Sequence, residues 1–268
     1  MKLCINGATT MPYPLESDVE CAAKIGFQGI EVWKSKLDQF LQNKSIESFK
    51  SLLMQHNIDV AAICAFSGYV FCSEEEFKKK VKETEKYLEI ASYIGCKNIV
   101  VCAEGFESKI REKIVEAHAS RLSKLAEVGK AYGVKVAMEW FWNLRDANEV
   151  IKRANNDNLG LVIDTFHWYK GDGNLDNIDL IPADKLFLVH INDCEDLPRE
   201  KLNDKNRLYC GLGVIPLIEI LKIFKQKNYQ GYLSVEVFRE EYWKKDPLTI
   251  SKEAFESLIK IMKLAKVL

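Results

Sequence analysis

The sequence predicts an α/β protein built as one (β/α)8, or TIM, barrel, a single domain spanning residues 1–268. Three observations carry that expectation. Eight short apolar runs alternate with helix-compatible stretches along the 268 residues, the count and length of one such barrel. The runs are rich in Val, Ile and Leu, as parallel strands covered on both faces require. Four of them, at 134–139, 159–164, 186–190 and 231–236, finish on Glu139, Asp164, His190 and Glu236. A charge at the end of an apolar run is costly unless it is paired or holds a cation. Barrels of this kind build their sites from the C-terminal ends of strands, so these four side chains are expected to converge.

The elements follow in order. A first strand covers 2–8, with Pro12 and Pro14 in the loop after it and a helix over 18–25. A second strand at 29–33 precedes a helix at 45–56, for which Ser45 and Ser48 are candidate N-caps. Asn57 turns the chain into the third strand, 58–65. A long charged helix over 74–94, with Val81, Leu88 and Ala91 as apolar positions, stops at Gly95. The fourth strand is 98–102, and the next helix, 108–132, stops at Gly133. The four strands with ionisable ends are separated by helices near 146–154, 175–181 and 215–227, and a helix over 248–267 closes the chain. A doubly wound open sheet would want a Gly-rich phosphate turn after its first strand. Asn6-Gly-Ala-Thr-Thr is not Gly-x-Gly-x-x-Gly, so the barrel is favoured.

Composition narrows the function classes. Apolar residues make up 47%, charged residues 29%, and the formal net charge is −1. No basic stripe stands out, so nucleic acid is not expected as a partner. A small anionic ligand would still need only one or two cations. Eight cysteines occur with no Cys-x-x-Cys pair. Several, including Cys4, Cys64 and Cys102, fall in strands, and they read as reduced, buried thiols of a cytoplasmic protein. The N-terminus lacks a signal-like apolar run, and no stretch approaches the roughly 20 apolar residues of a membrane span, so no membrane association is expected.

Three carboxylates and one imidazole suit one divalent cation, with Mn²⁺ preferred and Mg²⁺, Co²⁺ or Zn²⁺ also compatible. The lack of a thiolate argues against a structural zinc. Four polar strand ends reaching solvent independently is the plainer alternative. His167, three residues after Asp164, can face the same pocket or bond to nearby backbone. Arg207 follows the charged loop 195–206 and could grip a hydroxyl or phosphate bidentately, or stay solvated. Glu31 is a candidate substrate or supporting contact. His118, between Glu116 and Arg121, is expected at the surface, and His56 at a helix end. Trp33, Phe66, Trp140, Trp142, Phe166 and Trp168 fall at or after strand ends, as pocket wall or ordinary packing.

Several segments together resemble the xylose isomerase-like TIM barrels, the sugar phosphate isomerase/epimerase superfamily. These are Gly26-Phe-Gln-Gly-Ile-Glu31, Met138-Glu139, Asp164-Thr-Phe-His167, Val189-His-Ile-Asn-Asp193, Arg207 ahead of Cys210-Gly-Leu-Gly213, and Ser234-Val-Glu236. The resemblance runs over nearly the whole chain. It implies that Glu139, Asp164, His190 and Glu236 bind one divalent metal and that His167 and Arg207 contact substrate oxygens. It further implies catalysis by Glu139 and Glu236, moving a proton next to a carbonyl through a metal-stabilised enediolate. Action on one carbon would epimerise; a shuttle between neighbouring carbons would isomerise. The substrate implied is a sugar, sugar phosphate or cyclitol, and the assembly a homodimer or homotetramer. A dehydratase of inosose or dehydroshikimate type starts with the same proton abstraction and is the near alternative. An endonuclease IV-like repair enzyme would need further histidines after the third and fourth strands, where Ala65-Phe-Ser-Gly and Ala103-Glu-Gly offer none. A sugar-binding protein would not need both Glu139 and Glu236. Many relatives carry Pro-Gly-Glu-Gly after the Arg, whereas Leu212 stands here in the acidic position, which bears on substrate identity.

Overall fold

The computed structural model describes residues 1–105 and 110–268. Its strands are β1 (Lys2–Asn6), β2 (Gly29–Trp33), β3 (Asp59–Phe66), β4 (Asn98–Cys102), β5 (Lys135–Glu139), β6 (Leu159–Asp164), β7 (Leu186–Ile191) and β8 (Tyr232–Val235). They lie in sequence order around a closed barrel, all parallel, and β8 pairs back onto β1. A two-residue antiparallel ladder joins 193–194 to 207–208 on the loop after β7.

Helices cover the outside, and local chemistry sets most of their ends. α1 (Leu15–Ile25) stops at Gly26, whose φ of 108° is easily reached only without a Cβ. α2 (Lys34–Leu41) was not expected: it follows β2 directly, and its first residue is preceded by Trp33, which caps nothing. α3 (Ile46–His56) begins on Ser45, whose side chain accepts from the Ser48 N–H. α4 (Glu74–Ile94) opens on a reciprocal Ser73–Glu76 capping box and closes at Gly95. α5 (Arg111–Ala131) answers the helix expected at 108–132, of which 108 and 109 lie outside the described residues. α6 (Leu144–Ala154), α7 (Thr165–Gly171), α8 (Leu175–Asp179), α9 (Leu217–Gln226), α10 (Glu240–Trp243) and α11 (Pro247–Ala265) complete the ring. Among the described residues no helix is long and apolar enough to cross a membrane.

Period-two alternation splits each strand between two cores. One face packs against the helices, with Val136, Met138, Leu161 and Ile163 in the large outer core. The other face fills the barrel with small or medium side chains: Cys4, Ala62, Cys64, Val100, Ala137, Val162 and Leu188. Two residues further along the same face come Glu139, Asp164 and His190. The interior is therefore a packed apolar plug with an ionisable layer at its C-terminal end.

His118 is buried, contrary to the surface position expected from its charged sequence neighbours. Val115, His118, Ala119 and Leu122 share one face of α5, so helical periodicity outweighs Glu116 and Arg121. Its Nδ1–H donates to the Ile114 carbonyl at 2.8 Å, and its Nε2 accepts from the Glu104 N–H at 3.0 Å.

Candidate active site

β5 to β8 are consecutive around the barrel, so their C-terminal ends put Glu139, Asp164, His190 and Glu236 side by side. All four are buried, and one ligand atom from each lies within 4.8 Å of the others. His190 Nδ1 is 3.0 Å from Glu139 Oε1, 3.2 Å from Glu236 Oε2 and 3.8 Å from Asp164 Oδ2. Metal–ligand bonds of about 2.0–2.2 Å place ligand atoms roughly 3–4.4 Å apart, so these donors fit a divalent cation with small side-chain adjustments.

The charge balance supports the same fit. Four buried carboxylates, Glu31, Glu139, Asp164 and Glu236, face one guanidinium, Arg207, and one protonable ring, His190. Burial pulls the His190 imidazole down, but Glu236, Glu31 and Glu139 outweigh it and hold its pKa well above the usual range. Burial pushes the Glu236 carboxyl up to about 8, with Glu139 adding to the rise and His190 opposing it. Glu139 is held below its ordinary value, because His190 overcomes its burial. The cluster is short of positive charge, which a divalent cation would supply.

Asp164 serves two purposes. Its Oδ1 accepts from the Phe166 and His167 N–H groups at 2.7 and 3.1 Å, capping α7. Its Oδ2 turns to the centre and to Arg207. That cap is why a helix starts where the sequence shows only a strand end followed by a β-branched residue and an aromatic.

Arg207 was expected to grip substrate, but its guanidinium is already committed. It is 1% exposed, with Nη1 donating to Asp164 Oδ2 at 2.6 Å and Glu236 Oε2 at 3.3 Å, and Nε to Asp204 Oδ1 at 3.1 Å. The Phe166 and Phe238 rings stack on it at 4.6 and 5.4 Å. Its Nη2 donates to His167 Nε2 at 3.1 Å. Burial lowers the pKa of His167, so the ring is neutral and carries its proton on Nδ1. Phe141 packs on that ring at 4.5 Å.

Glu31 is likewise turned away from the mouth, both of its oxygens bonded to His190 and Ser234 deep in the barrel. Sequence reasoning passed over Cys102, Phe141 and Phe238. Cys102 ends β4 in register with Glu139, and its thiol donates to Glu139 Oε2 at 3.6 Å. The signal was available, since Cys102 closes its strand as Glu139 does. Of the expected aromatics, Trp33 donates to Asn6 Oδ1 at 2.6 Å and meets Phe238 edge-on, whereas Trp140 and Trp168 are packed in the outer core.

Loops around the mouth are held by carboxylates, with Asp193 and Asp18 buried. Asp193 accepts from the N–H groups of Cys194, Gly211, Gly213 and Ile215 at 2.8–3.0 Å. A Cβ at Gly213 would collide with the Cys194 carbonyl, so both glycine and Asp193 are needed for this close turn, and the Leu212 side chain points outward. Glu104 accepts from the Tyr69, Val70 and Phe71 N–H groups and pins the loop after β3. Lys36, beside the loop after β1, bonds both oxygens of Asp18 at 2.9 and 2.7 Å and the Thr10 carbonyl at 2.9 Å.

Comparison with known proteins agrees with this fold. The family model described as xylose isomerase-like TIM barrel matches residues 19–261. The inosose isomerase of Halalkalibacterium halodurans is 30% identical over 98% of this chain and 96% of its own length. The inosose isomerase of Bacillus subtilis is 31% identical over 91% of each. The crystal structure of an IolI protein with a bound zinc atom superposes with a TM-score of 0.94 at 29% identity, covering 99% of both chains. The match spans nearly every strand and helix described above, and this chain belongs to the xylose isomerase-like TIM barrel family.

Proposed function

We propose that this protein is a divalent-metal-dependent isomerase of an uncharged cyclitol ketone, of the inosose class. The observation that carries the reading is the buried set of four metal-type donors at the C-terminal end of the barrel. Arg207, the cation beside these donors, is paired with Asp164, Glu236 and Asp204, which favours an uncharged substrate over a phosphate ester. The similarity to inosose isomerases along almost the whole chain supports the same substrate class.

Glu139, Asp164, His190 and Glu236 would hold the metal, which would supply Lewis-acid polarisation of neighbouring carbonyl and hydroxyl oxygens. Glu139 turns Oε1 to His190 and keeps Oε2 beside Cys102. Glu236 turns Oε2 to His190 and Arg207 and keeps Oε1. The second oxygen of each glutamate is the one proposed to move protons, and the two approach the centre from β5 and from the end of β8. Glu139 removes the proton from the hydroxyl-bearing carbon next to the ketone, the adjoining hydroxyl passes its proton to the ketone oxygen, and Glu236 delivers a proton to the former carbonyl carbon, leaving the isomeric ketone. The neutral His167 offers its Nδ1–H to a substrate oxygen. Phe141, Phe166 and Phe238 exclude water from the charged layer.

The test is solvent deuterium uptake. Metal-loaded and chelated protein would be incubated in D₂O with inososes, ketoses and their phosphates, and analysed by mass spectrometry. Metal-dependent deuterium next to the carbonyl of an unphosphorylated inosose, with an isomeric ketone as product, is expected. Loss of water from the product would make the enzyme a dehydratase. Preference for a phosphate ester would overturn the substrate class, and no exchange by metal-loaded protein would overturn the isomerase reading.

A further inference from the structure

We propose that Glu31 and Ser234 form a buried support that fixes the ring of His190 and thereby sets the metal affinity of the site from beneath. The inference rests on the divalent-metal reading above and goes beyond its ligand set. His190 Nε2 lies 3.0 Å from Glu31 Oε1, and Ser234 Oγ donates to Glu31 Oε2 at 2.8 Å. Glu31 and Ser234 are 1% and 0% exposed, and both oxygens of Glu31 are taken up by His190 and Ser234.

The geometry follows from the closure of the barrel. Ser234 and His190 are register partners on β8 and β7, and Glu31 on β2 pairs with Asn6 on β1. β1 separates β2 from β8, so Glu31 reaches across the interior to meet both. Around this layer lie Cys4, Ala62 and Cys64 of the barrel interior, Cys4 in register with Ser234 and Ala62 with Glu31, and they offer a carboxylate little solvation. A buried carboxylate left with one free oxygen would be costly, and the Ser234 hydroxyl removes that problem.

The arrangement has a chemical consequence. An ionised carboxylate only accepts, so the ring nitrogen facing Glu31 must carry the proton. In the neutral ring Nδ1 then presents its lone pair towards Glu139, Asp164 and Glu236. A carboxylate behind a histidine ligand fixes its tautomer and orientation and raises its basicity; losing such a partner typically weakens metal binding about 10–100-fold. Glu31 is accordingly a positioning residue that acts through His190.

The test measures Zn²⁺ and Mn²⁺ dissociation constants of the full chain by competition with a chromophoric chelator, for wild type, Glu31→Ala, Glu31→Gln and Ser234→Ala. The melting temperature of each metal-free protein is recorded beside them. In the zinc-loaded protein, ring ¹⁵N shifts report whether His190 is protonated at Nε2. Glu31→Ala is expected to weaken metal binding about 10–100-fold. Glu31→Gln, isosteric and still an acceptor, should fall between it and wild type, with the Nε2–H tautomer retained. Ser234→Ala should be the mildest. A merely structural role would lower melting temperature and affinity together and would not rank Glu above Gln above Ala in folded protein. If Glu31→Ala does not fold, Glu31→Gln carries the test. Affinity within twofold of wild type in the folded Glu31 variants would overturn the inference and leave the isomerase reading intact. A wild-type chain that binds neither metal would overturn both.

Discussion

The two halves of the barrel mouth handle charge in opposite ways. β5 to β8 bring Glu139, Asp164, His190 and Glu236 together, and with Glu31 reaching in from β2 their carboxylates outnumber Arg207 and His190. β1 to β4 end in Asn6, Trp33, Phe66 and Cys102, and the charges near them are satisfied locally. Lys36 is paired with Asp18, and Glu104 is bonded to three backbone N–H groups. Both halves bury ionic groups, so burial alone does not distinguish a site from a support. Incomplete compensation does, because only the second half gains by taking up a cation.

The largest effects should come from the charged half. Glu139→Gln and Glu236→Gln should each lower turnover by about 10²–10⁴-fold, the usual range for a general acid or base, with circular dichroism and melting temperature close to wild type. Unchanged turnover in both would end the proposed role of the pair.

Next come two substitutions that set the halves against each other. Arg207→Met removes one partner of a buried ionic cluster and should destabilise the metal-free protein by about 3–5 kcal/mol. Added Mn²⁺ or Zn²⁺ should restore a larger share of its melting temperature than it adds to wild type, since the cation replaces the missing charge. Asp18→Ala strands Lys36 in the other half and should cost a similar ~3–5 kcal/mol. Here metal should give no extra recovery, whereas Asp18→Ala combined with Lys36→Met should regain most of the loss. Equal metal rescue of both single variants would remove the distinction between the halves.

The smallest effect concerns His118, which braces Glu104 and the loop after β3. Burial lowers its pKa below the ordinary imidazole value of 6.5. Below that value the unfolded chain binds more protons at this site than the folded one. Its contribution to stability is therefore complete above pH 6.5 and is lost as pH falls through the folded-state pKa. Urea unfolding across pH 5 to 8 should show a shallower acid slope in His118→Asn than in wild type. An unchanged slope would mean that the ring is not held neutral.

Much of this was legible along the chain. Each of the eight expected strands is present, shifted by no more than two residues at either end. Ser45 caps α3, and Gly95 ends α4. The four strand ends expected to converge do converge, because alternation along a both-faces-buried strand is a local property. α2 and α7 were not legible. α2 has no capping side chain, and the cap of α7 is Asp164, which reads equally well as the last residue of β6. His118 was misplaced because two charged neighbours in sequence masked an apolar stripe of period 3.6.

What the sequence by itself determined was the chemical set and its level in the barrel: three carboxylates and an imidazole at the C-terminal ends of buried strands. Run length, strand polarity and the period-two pleat depend on neighbours a few residues apart, and those are visible in one dimension. Only the tertiary structure decided which of these groups oppose one another and which are already spent. Glu31 meets His190 across 159 residues, and Arg207 meets Asp164 across 43. Barrel closure and strand register set both distances, and with them the difference between a residue that can receive a substrate and one that holds another residue in place.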